Sequence, residues 1–498
     1  MTARTLVIGG GIAGLLAARR RAARGDTVTV LEASDQVGGA VRAVEVGGIE
    51  VNAGAEAFSV TSGAVEELLG ELGLAAQVAS PAAGRGSRLV SDAGSLPSPR
   101  GGLLGIPGRP LSREARTVLG TAGALRAALD RVLPARWGLT DGVTIGAYVR
   151  RRMGRRVAER LVAPVVGGVH SSDPETLELA AVQPRLPAAV REHGSLAGAV
   201  RALRPRRSSA GTAVRSVTPT MAELPRALGR ELEASGAVVR TGVRVTGLER
   251  DGSTWRARLE TAGSAPGAAP EHLEADSLVL AVPPDAARAL LADAAPDLAR
   301  AIPEAPSSPV RLVVLVLDAP ALDAAPSGTG ALVAPGTRGV RAKALTHASA
   351  KWDHVREAAH GLHVVRLSYG RPGEALPADD SALEADGGAS TIVDRALADA
   401  SAILTRDLDR TQLRGAAVVT WPGAMRQALP GHREALDRLA ELLAEGDDAL
   451  ELVGSWRDGT GLDAMAAAER RRRRSDPGSP CPTDPSTTAS PASEGRPR

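Results

Sequence analysis

Gly9, Gly11 and Gly14 stand at the spacing G-x-G-x-x-G, a pattern whose chemistry is phosphate binding. Gly9 permits a tight turn, Gly11 lets the main chain approach a pyrophosphate, and Gly14 lets a following helix lie close on its strand. Gly10, Ile12 and Ala13 complete the turn, and the free N–H groups and dipole at a helix start attract the anion. A glycine turn alone is weak evidence. Here a second run, Thr27-Val-Thr-Val-Leu31, ends in Glu32, placed to accept hydrogen bonds from a ribose diol, with Ala33 beside it. The elements that must hold these residues are legible around them. Leu6, Val7 and Ile8 predict a strand, and the Ala/Leu/Arg stretch after Gly14 predicts a helix. Strand, turn, helix and strand make a dinucleotide-binding unit of Rossmann type.

Glu32 is followed by the glycine pair Gly38-Gly39, then Ala40, where a second backbone segment passes under a cofactor. Gly54-Ala55-Glu56-Ala57 closes a further short strand. These residues and their order resemble the flavin-dependent amine oxidase and protoporphyrinogen oxidase superfamily, and NAD dehydrogenases usually lack the glycine pair. The resemblance implies FAD.

The chain has 498 residues, room for two substantial domains, and no apolar run long enough to span a bilayer. Met1–Thr5 leads directly into the first strand, so no signal peptide is expected and the protein is expected in the cytoplasm. Cys481 is the only cysteine and lies near the end, which excludes a disulfide framework and a thiolate metal cluster, and leaves the body no thiol for a covalent flavin link. The histidines show no metal-ligand spacing, so no metal is expected. Basic residues are almost all Arg, with Lys343 and Lys351 the only lysines. From Arg470 onward seven Arg face three acids, +4 of a net +3, so the remaining body carries −1 and offers no face for nucleic acid.

Along the chain, Ser62–Leu72 reads as a helix and Arg88–Pro97 as a hairpin turning at Asp92-Ala-Gly-Ser. A helical region is expected from Ser112 to Val200, broken at Pro164 and by a loop over Gly167–Pro174. Met221–Ser235 is amphipathic, Val238–Arg244 a strand, and Trp255–Leu259 part of a meander. Asp276–Pro284 and Leu452–Leu462 read as returns to the cofactor sheet, and Val310–Leu317 and His363–Ser368 as strands of another sheet. Residues 262–270 read as a loop, and the Arg-rich, then Ser/Pro/Thr-rich, stretch after Glu469 as disordered.

Further stretches narrow the resemblance. They are Gly54–Phe58, Pro164–Val169, Lys343–Trp352, Trp421 ahead of Pro430-Gly-His432, and Gly454–Leu462. Together they resemble the oxygen-dependent porphyrinogen oxidases, in particular the actinobacterial-type coproporphyrinogen III oxidases of haem synthesis, from residue 2 to about 469. The implied fold is α/β (α+β overall): a Rossmann-like FAD-binding domain interleaved with a mixed-sheet substrate domain and a helical insertion. Its segments would be 1–84, 211–289 and 406–469 for FAD, 85–210 for the substrate and helical insertion, 290–405 for the substrate again, and 470–498 as a tail.

The resemblance implies cofactor contacts from Gly9, Gly10, Gly11, Ile12, Ala13, Gly14, Glu32, Ala33, Gly39, Ala40, Gly54, Ala55, Glu56, Ala57, Val245, Trp421, Thr460, Gly461 and Leu462. Arg88 and Gly168 would meet the substrate, Arg88 by binding a propionate and Gly168 by giving the macrocycle room. Val245 would meet the adenine through its backbone, and the Gly459-Thr460-Gly461 turn would bring helix-end N–H groups to the flavin. The flavin N5 would take hydride from a methylene bridge, O₂ would reoxidise it to give peroxide, and no side chain would serve as general base. The partners would be a porphyrinogen, O₂ and a ferrochelatase-type enzyme receiving the product, with at most peripheral membrane contact.

Plainer roles compete at several positions. Trp421 and Trp456 also read as core anchors, Val245 as core, Arg88 as a surface charge and Gly168 as a loop turn. Asn52, Ala40, His170 and Arg426 depart from the family pattern. A protoporphyrinogen oxidase, an oxidase of amines or polyenes, and a weakly active flavin- or porphyrin-binding protein remain as alternatives.

Overall fold

The computed structural model describes residues 2–475 apart from 170, 205–213, 264–268, 378–390, 425, 428, 430 and 447–448. The tail beyond 475, the centre of the 262–270 loop, His170 and Pro430 therefore lie outside the described residues.

The cofactor sheet is parallel and drawn from distant parts of the chain. Its five strands run in the order Val238–Arg240, Thr27–Leu31, Arg4–Ile8, Ser277–Leu280, Leu450–Leu452. Leu6, Val7 and Ile8 are buried, as are all four residues of Ser277–Leu280, the signature of strands covered on both faces. The first helix, Ile12–Ala23, packs on one side through Leu15, Leu16, Ala17 and Ala18. A meander, Val243–Asp251, Thr254–Thr261 and Glu271–Ala275, covers the sheet elsewhere and buries Trp255.

A second sheet has seven strands in the order Leu413–Trp421, Val310–Leu317, His363–Tyr369, Ala344–His347, Gly330–Val333, Arg88–Ser91, Gly94–Pro97. Alternation divides its faces. Val313, Leu315, Leu345, Leu367 and Val90 pack under the helix Thr391–Leu404. The opposite face carries Val314 and Val316 beside Val51 and Trp352, and Leu89 and Leu332 beside the helices between Arg113 and Leu203.

Four expectations are corrected. Pro164 does not break its helix: it falls just after a π-helical stretch, Ala158–Val162, and the helix Ala163–Val169 continues through Gly167. The wider turn accommodates a ring that lacks an N–H and would clash in a regular α-turn. The segment boundary at 405/406 moves, because Leu413–Trp421 pairs along the whole of Val310–Leu317 and belongs to the second sheet. The boundary at 289/290 moves too, since Leu291, Ala299 and Ile302 pack with Leu278 and Leu280 under the cofactor sheet.

The fourth concerns the arginine run. Helix Leu462–Ser475 extends through it, with Arg470 paired to Glu67 at 2.9 Å, Arg472 to Asp458 at 2.5 Å and Arg473 to Glu71 at 3.0 Å. A chain ending at Ser475 is thus expected to keep its Tm. One ending at Glu469 should melt several degrees lower, because Asp458 and Glu451 lose a largely buried cation. Thermal unfolding of the two truncations checks this; equal Tm values would show the pairs to be ornamental.

Candidate active site

Gly9 turns the chain out of the first strand at φ 106° and donates its N–H to the Leu31 carbonyl at 2.8 Å. A Cβ on Gly14 would lie 1.9 Å from the Gly9 oxygen, so only glycine lets the helix start this close to the strand. On Gly11 a Cβ would meet no heavy atom within 4 Å. Gly11 is the N-cap, with no side chain capping it and no acid in the first turn, so the helix N–H groups face open space. That is the arrangement a pyrophosphate requires.

Glu32 sits beside the turn: its Oε2 accepts the Gly10 N–H at 2.8 Å, and its Oε1 accepts the Ser34 N–H and hydroxyl at 2.8 and 2.7 Å. Ala33, next in the chain, is exposed. The Glu32 main-chain carbonyl accepts the Val243 N–H at 2.9 Å, and Val243 starts the strand that carries Val245. The Gly38 N–H bonds the Gly10 carbonyl at 2.8 Å, and a Gly39 Cβ would come within 3.4 Å of Gly11. The glycine pair therefore runs alongside the dinucleotide turn.

From there Ala40 leads to the next segment. Its carbonyl accepts the Ala55 N–H at 2.8 Å, and Gly54 approaches so closely that a Cβ would sit 2.0 Å from the same oxygen. Trp421 Nε1 donates to the Ala53 carbonyl at 2.8 Å, placing the indole against Gly54. Ala57 packs among Val51, Val314 and Trp352. Asn52 supplies a buried acceptor for the Met221 N–H at 2.8 Å, a role that needs an oxygen but no charge.

The Glu56 side chain does something sequence reading missed. It points away from the glycine turn into a junction with the second sheet, where Lys351 Nζ lies at 2.9 Å, Arg366 Nη2 at 2.7 Å and Trp352 Nε1 at 2.5 Å. Burial raises its pKa, but Lys351 and Arg366 outweigh burial and hold the carboxyl down at about 2. Arg366 also donates to the Asn52 and Gly54 carbonyls at 3.1 and 2.9 Å, so one guanidinium ties the second sheet to the cofactor turn.

Thr460 and Gly461 are exposed and precede the helix that starts at buried Leu462. Leu462 and Ile12 share one core, and Arg20 near the end of the first helix bonds Glu469 at 2.7 Å. The two helices therefore run parallel, with both positive ends on the side of the glycine turn, where together they favour an anion. Trp456 is a core anchor, buried with Nε1 donating to the Val282 carbonyl at 3.2 Å.

The two expected substrate contacts do not come together. Gly168 packs on the second sheet, where a Cβ would lie 2.7 Å from the Leu332 side chain. Arg88 pairs with Ala331 and shares the face of Val90, under helix Thr391–Leu404, while its neighbour Leu89 turns toward Leu332 and the helical region. Its guanidinium donates to the Ser95 hydroxyl at 2.7 Å and the Ser95 carbonyl at 2.6 Å. Arg88 thus staples its own hairpin, and strand alternation puts it on the face opposite Gly168.

Beside Gly168 stands a residue not foreseen. Lys343 is buried, donates to the Ser171 hydroxyl at 2.5 Å and the Gly370 carbonyl at 2.7 Å, and is pushed down to about 7 by burial and by Arg371. A signal existed: Lys343 is one of only two lysines in an otherwise all-Arg chain. Gln427 reaches the Ser308 hydroxyl at 2.7 Å, and Arg426 pairs with Asp285 at 2.9 Å. Both line a cavity of about 730 Å³ that extends to Trp456, Gly459 and Thr460 on one wall and to Val143 and Arg191 of the helical region on the other. Among the described residues no metal-holding cluster occurs.

Residues 12–469 match the family described as flavin containing amine oxidoreductase. The chain belongs to this family. This makes it an oxidoreductase and a flavoprotein, and the open cradle at Gly11 fits that cofactor class. The chain is 33% identical over 480 residues to the coproporphyrinogen III oxidase of Mycobacterium tuberculosis (strain ATCC 25618 / H37Rv), covering 93% of this chain and 95% of that one. It is 28% identical to protoporphyrinogen oxidase 2, chloroplastic/mitochondrial, of Arabidopsis thaliana over 204 residues, 40% of this chain and 39% of that one. In three dimensions it is similar to a crystal structure from Exiguobacterium sp. 255-15, described as a protoporphyrinogen oxidase. The TM-score is 0.76 at 23% identity, covering 95% of this chain and 98% of that one.

Proposed function

We propose that the protein oxidises coproporphyrinogen III to coproporphyrin III, with non-covalently held FAD and with O₂ as terminal acceptor. The observation that supports this most is sequence identity: 33% to a coproporphyrinogen III oxidase over 93% of the chain, against 28% over 40% of it and 23% over 95% of it to the two relatives described as protoporphyrinogen oxidases. The reaction removes six hydrogens as three two-electron steps, so three O₂ become three H₂O₂. Bound flavin supplies the two-electron acceptor.

The chain's own residues bind and orient. Gly9–Gly14 and the paired helix N-termini hold the pyrophosphate, Glu32 takes the ribose, and Ala40, Gly54 and Trp421 line the cofactor beyond it. Gly168 gives the macrocycle room. Loss of hydrogen yields an aromatic product, so the reaction runs downhill without a strong side-chain base, and the assignment names none.

Turnover separates the substrates. Incubated aerobically with coproporphyrinogen III or protoporphyrinogen IX, the protein is expected to generate porphyrin fluorescence at least tenfold faster from the former, and Arg88→Ala to retain near wild-type kcat/KM. Faster oxidation of protoporphyrinogen, or reduction of the flavin by amines under anaerobic conditions, would overturn the assignment.

A further inference from the structure

Lys343 is a buried cation that the fold supplies with no anion. It is 2% exposed, and two of its three ammonium donors are used, on the Ser171 hydroxyl at 2.5 Å and the Gly370 carbonyl at 2.7 Å. Both partners are neutral. The charged group that acts on it is Arg371, of like sign, which with burial brings the ammonium down to about 7. The nearby acids are engaged elsewhere: Asp399 accepts the Arg341 and Ala342 N–H groups and acts on Tyr369, and Glu374 lies 3.8 Å from Arg371. Arg20 and Arg152, comparably buried, each have a carboxylate in contact.

The place of this cation says where an anion would come from. A Cβ on Gly168 would lie 3.5 Å from the Lys343 carbonyl, so the lysine adjoins the position that gives the macrocycle room. Ser171 follows helix Ala163–Val169 with φ 47°, and its carbonyl accepts from Gln427 Nε2 at 3.5 Å. Gln427 also donates to the Ser308 hydroxyl at 2.7 Å and lines the cavity of about 730 Å³. Gln427 and Ser171 therefore lead from the cavity to the ammonium, and the contact between them is the longest of the chain. A carboxylate on a two-methylene arm extends about 4 Å from its ring, at roughly 1.5 Å per C–C bond.

We propose that Lys343 binds one carboxylate of the macrocycle seated at Gly168, the carboxylate passing between Gln427 and Ser171 to take the third ammonium N–H. This rests on the porphyrinogen-oxidising function proposed above and names a residue that recognises that substrate. A carboxylate there makes a charge-assisted hydrogen bond and supplies the missing counter-charge. The occupied site holds Lys343 fully protonated, so above about pH 7 binding takes up a proton and weakens as pH rises. A purely structural lysine fits less well, because methionine would fill a similar volume without the cost of burying an unpaired charge.

The test is titration of the flavin-loaded full chain with coproporphyrin III, followed by porphyrin fluorescence. Lys343→Met is expected to bind at least tenfold more weakly than wild type at about pH 6, with flavin absorbance and Tm no lower than in wild type. Between about pH 6 and about pH 9 wild type should lose at least tenfold more affinity than Lys343→Met loses, and Lys343→Arg, which keeps the charge, should recover part of the binding. The tetramethyl ester of coproporphyrin III should bind wild type and Lys343→Met alike. Equal affinity of wild type and Lys343→Met for the free acid would overturn the proposal. Should Lys343→Met not fold, wild type decides: affinity for the acid that falls no further with pH than affinity for the ester would overturn it too. A wild type that shows the expected pH dependence yet oxidises no porphyrinogen would support the carboxylate site and overturn the proposed function instead.

Discussion

Gly11→Val is expected to give a folded, colourless protein, and Gly14→Val is expected to give none that folds. The two glycines belong to one motif but meet different neighbours. At Gly11 the backbone has φ −68° and ψ 173°, which valine adopts without strain, and a Cβ finds no protein atom within 4 Å. The valine methyls would instead take the space that a pyrophosphate needs, so the cost falls on the ligand. At Gly14 the Cβ would stand 1.9 Å from the Gly9 carbonyl and 2.9 Å from Ala281, between the first helix and two central strands. Relieving that contact means lifting the helix off a sheet whose buried residues include Val7, Leu15 and Val279, which costs several kcal/mol. Flavin absorbance after purification and a thermal melt distinguish the two. Gly11→Val with full flavin content would contradict the assignment of the turn to the cofactor.

What could be read from the chain was what neighbours in sequence decide. The glycine turn, Glu32 and the hairpin at Asp92 depend on spacings within one or two elements, and their types announce them. Arg88 shows where this ends. Alternation puts Arg88 and Leu89 on opposite faces, but which face meets the helical region depends on Leu332 and on helices far along the chain. Leu413–Trp421 has no local feature that assigns it to one sheet over the other; its pairing with Val310–Leu317 decides. The arginine run resembled a solvated tail because two of its carboxylates, Glu67 and Glu71, stand about four hundred residues away, at separations of 403 and 402. Pro164 resembled a break because a π-helical turn leaves no mark in composition.

Replacing Glu56 by alanine is expected to destabilise the protein by about 3–5 kcal/mol at pH 7, the range for stripping a buried charge from its partners. The Glu56 side chain is 9% exposed, and Lys351 and Arg366, at 22% and 16%, converge on it. Without the carboxylate, two cations face each other in a place water reaches poorly. Arg366 is also the residue that holds the Gly54 carbonyl, so its displacement loosens the cofactor turn and the variant should lose flavin at lower temperature than wild type. The pH dependence follows from the direction of the shift. Glu56 has its pKa held down at about 2 in the fold against an ordinary 4.5, so between those values the unfolded chain binds the extra proton. Its contribution is complete above about 4.5 and drains away as pH falls toward 2. The Tm gap between wild type and Glu56→Ala should accordingly be wide at pH 7 and narrow steadily below pH 4.5. Adding Arg366→Met to Glu56→Ala should recover part of the loss, because it removes one of the two stranded cations. A gap that stays constant down to pH 3, with no recovery in the double variant, would mean that the junction is held by the packing of Trp352 and Val314 and that the buried ion pairs contribute little.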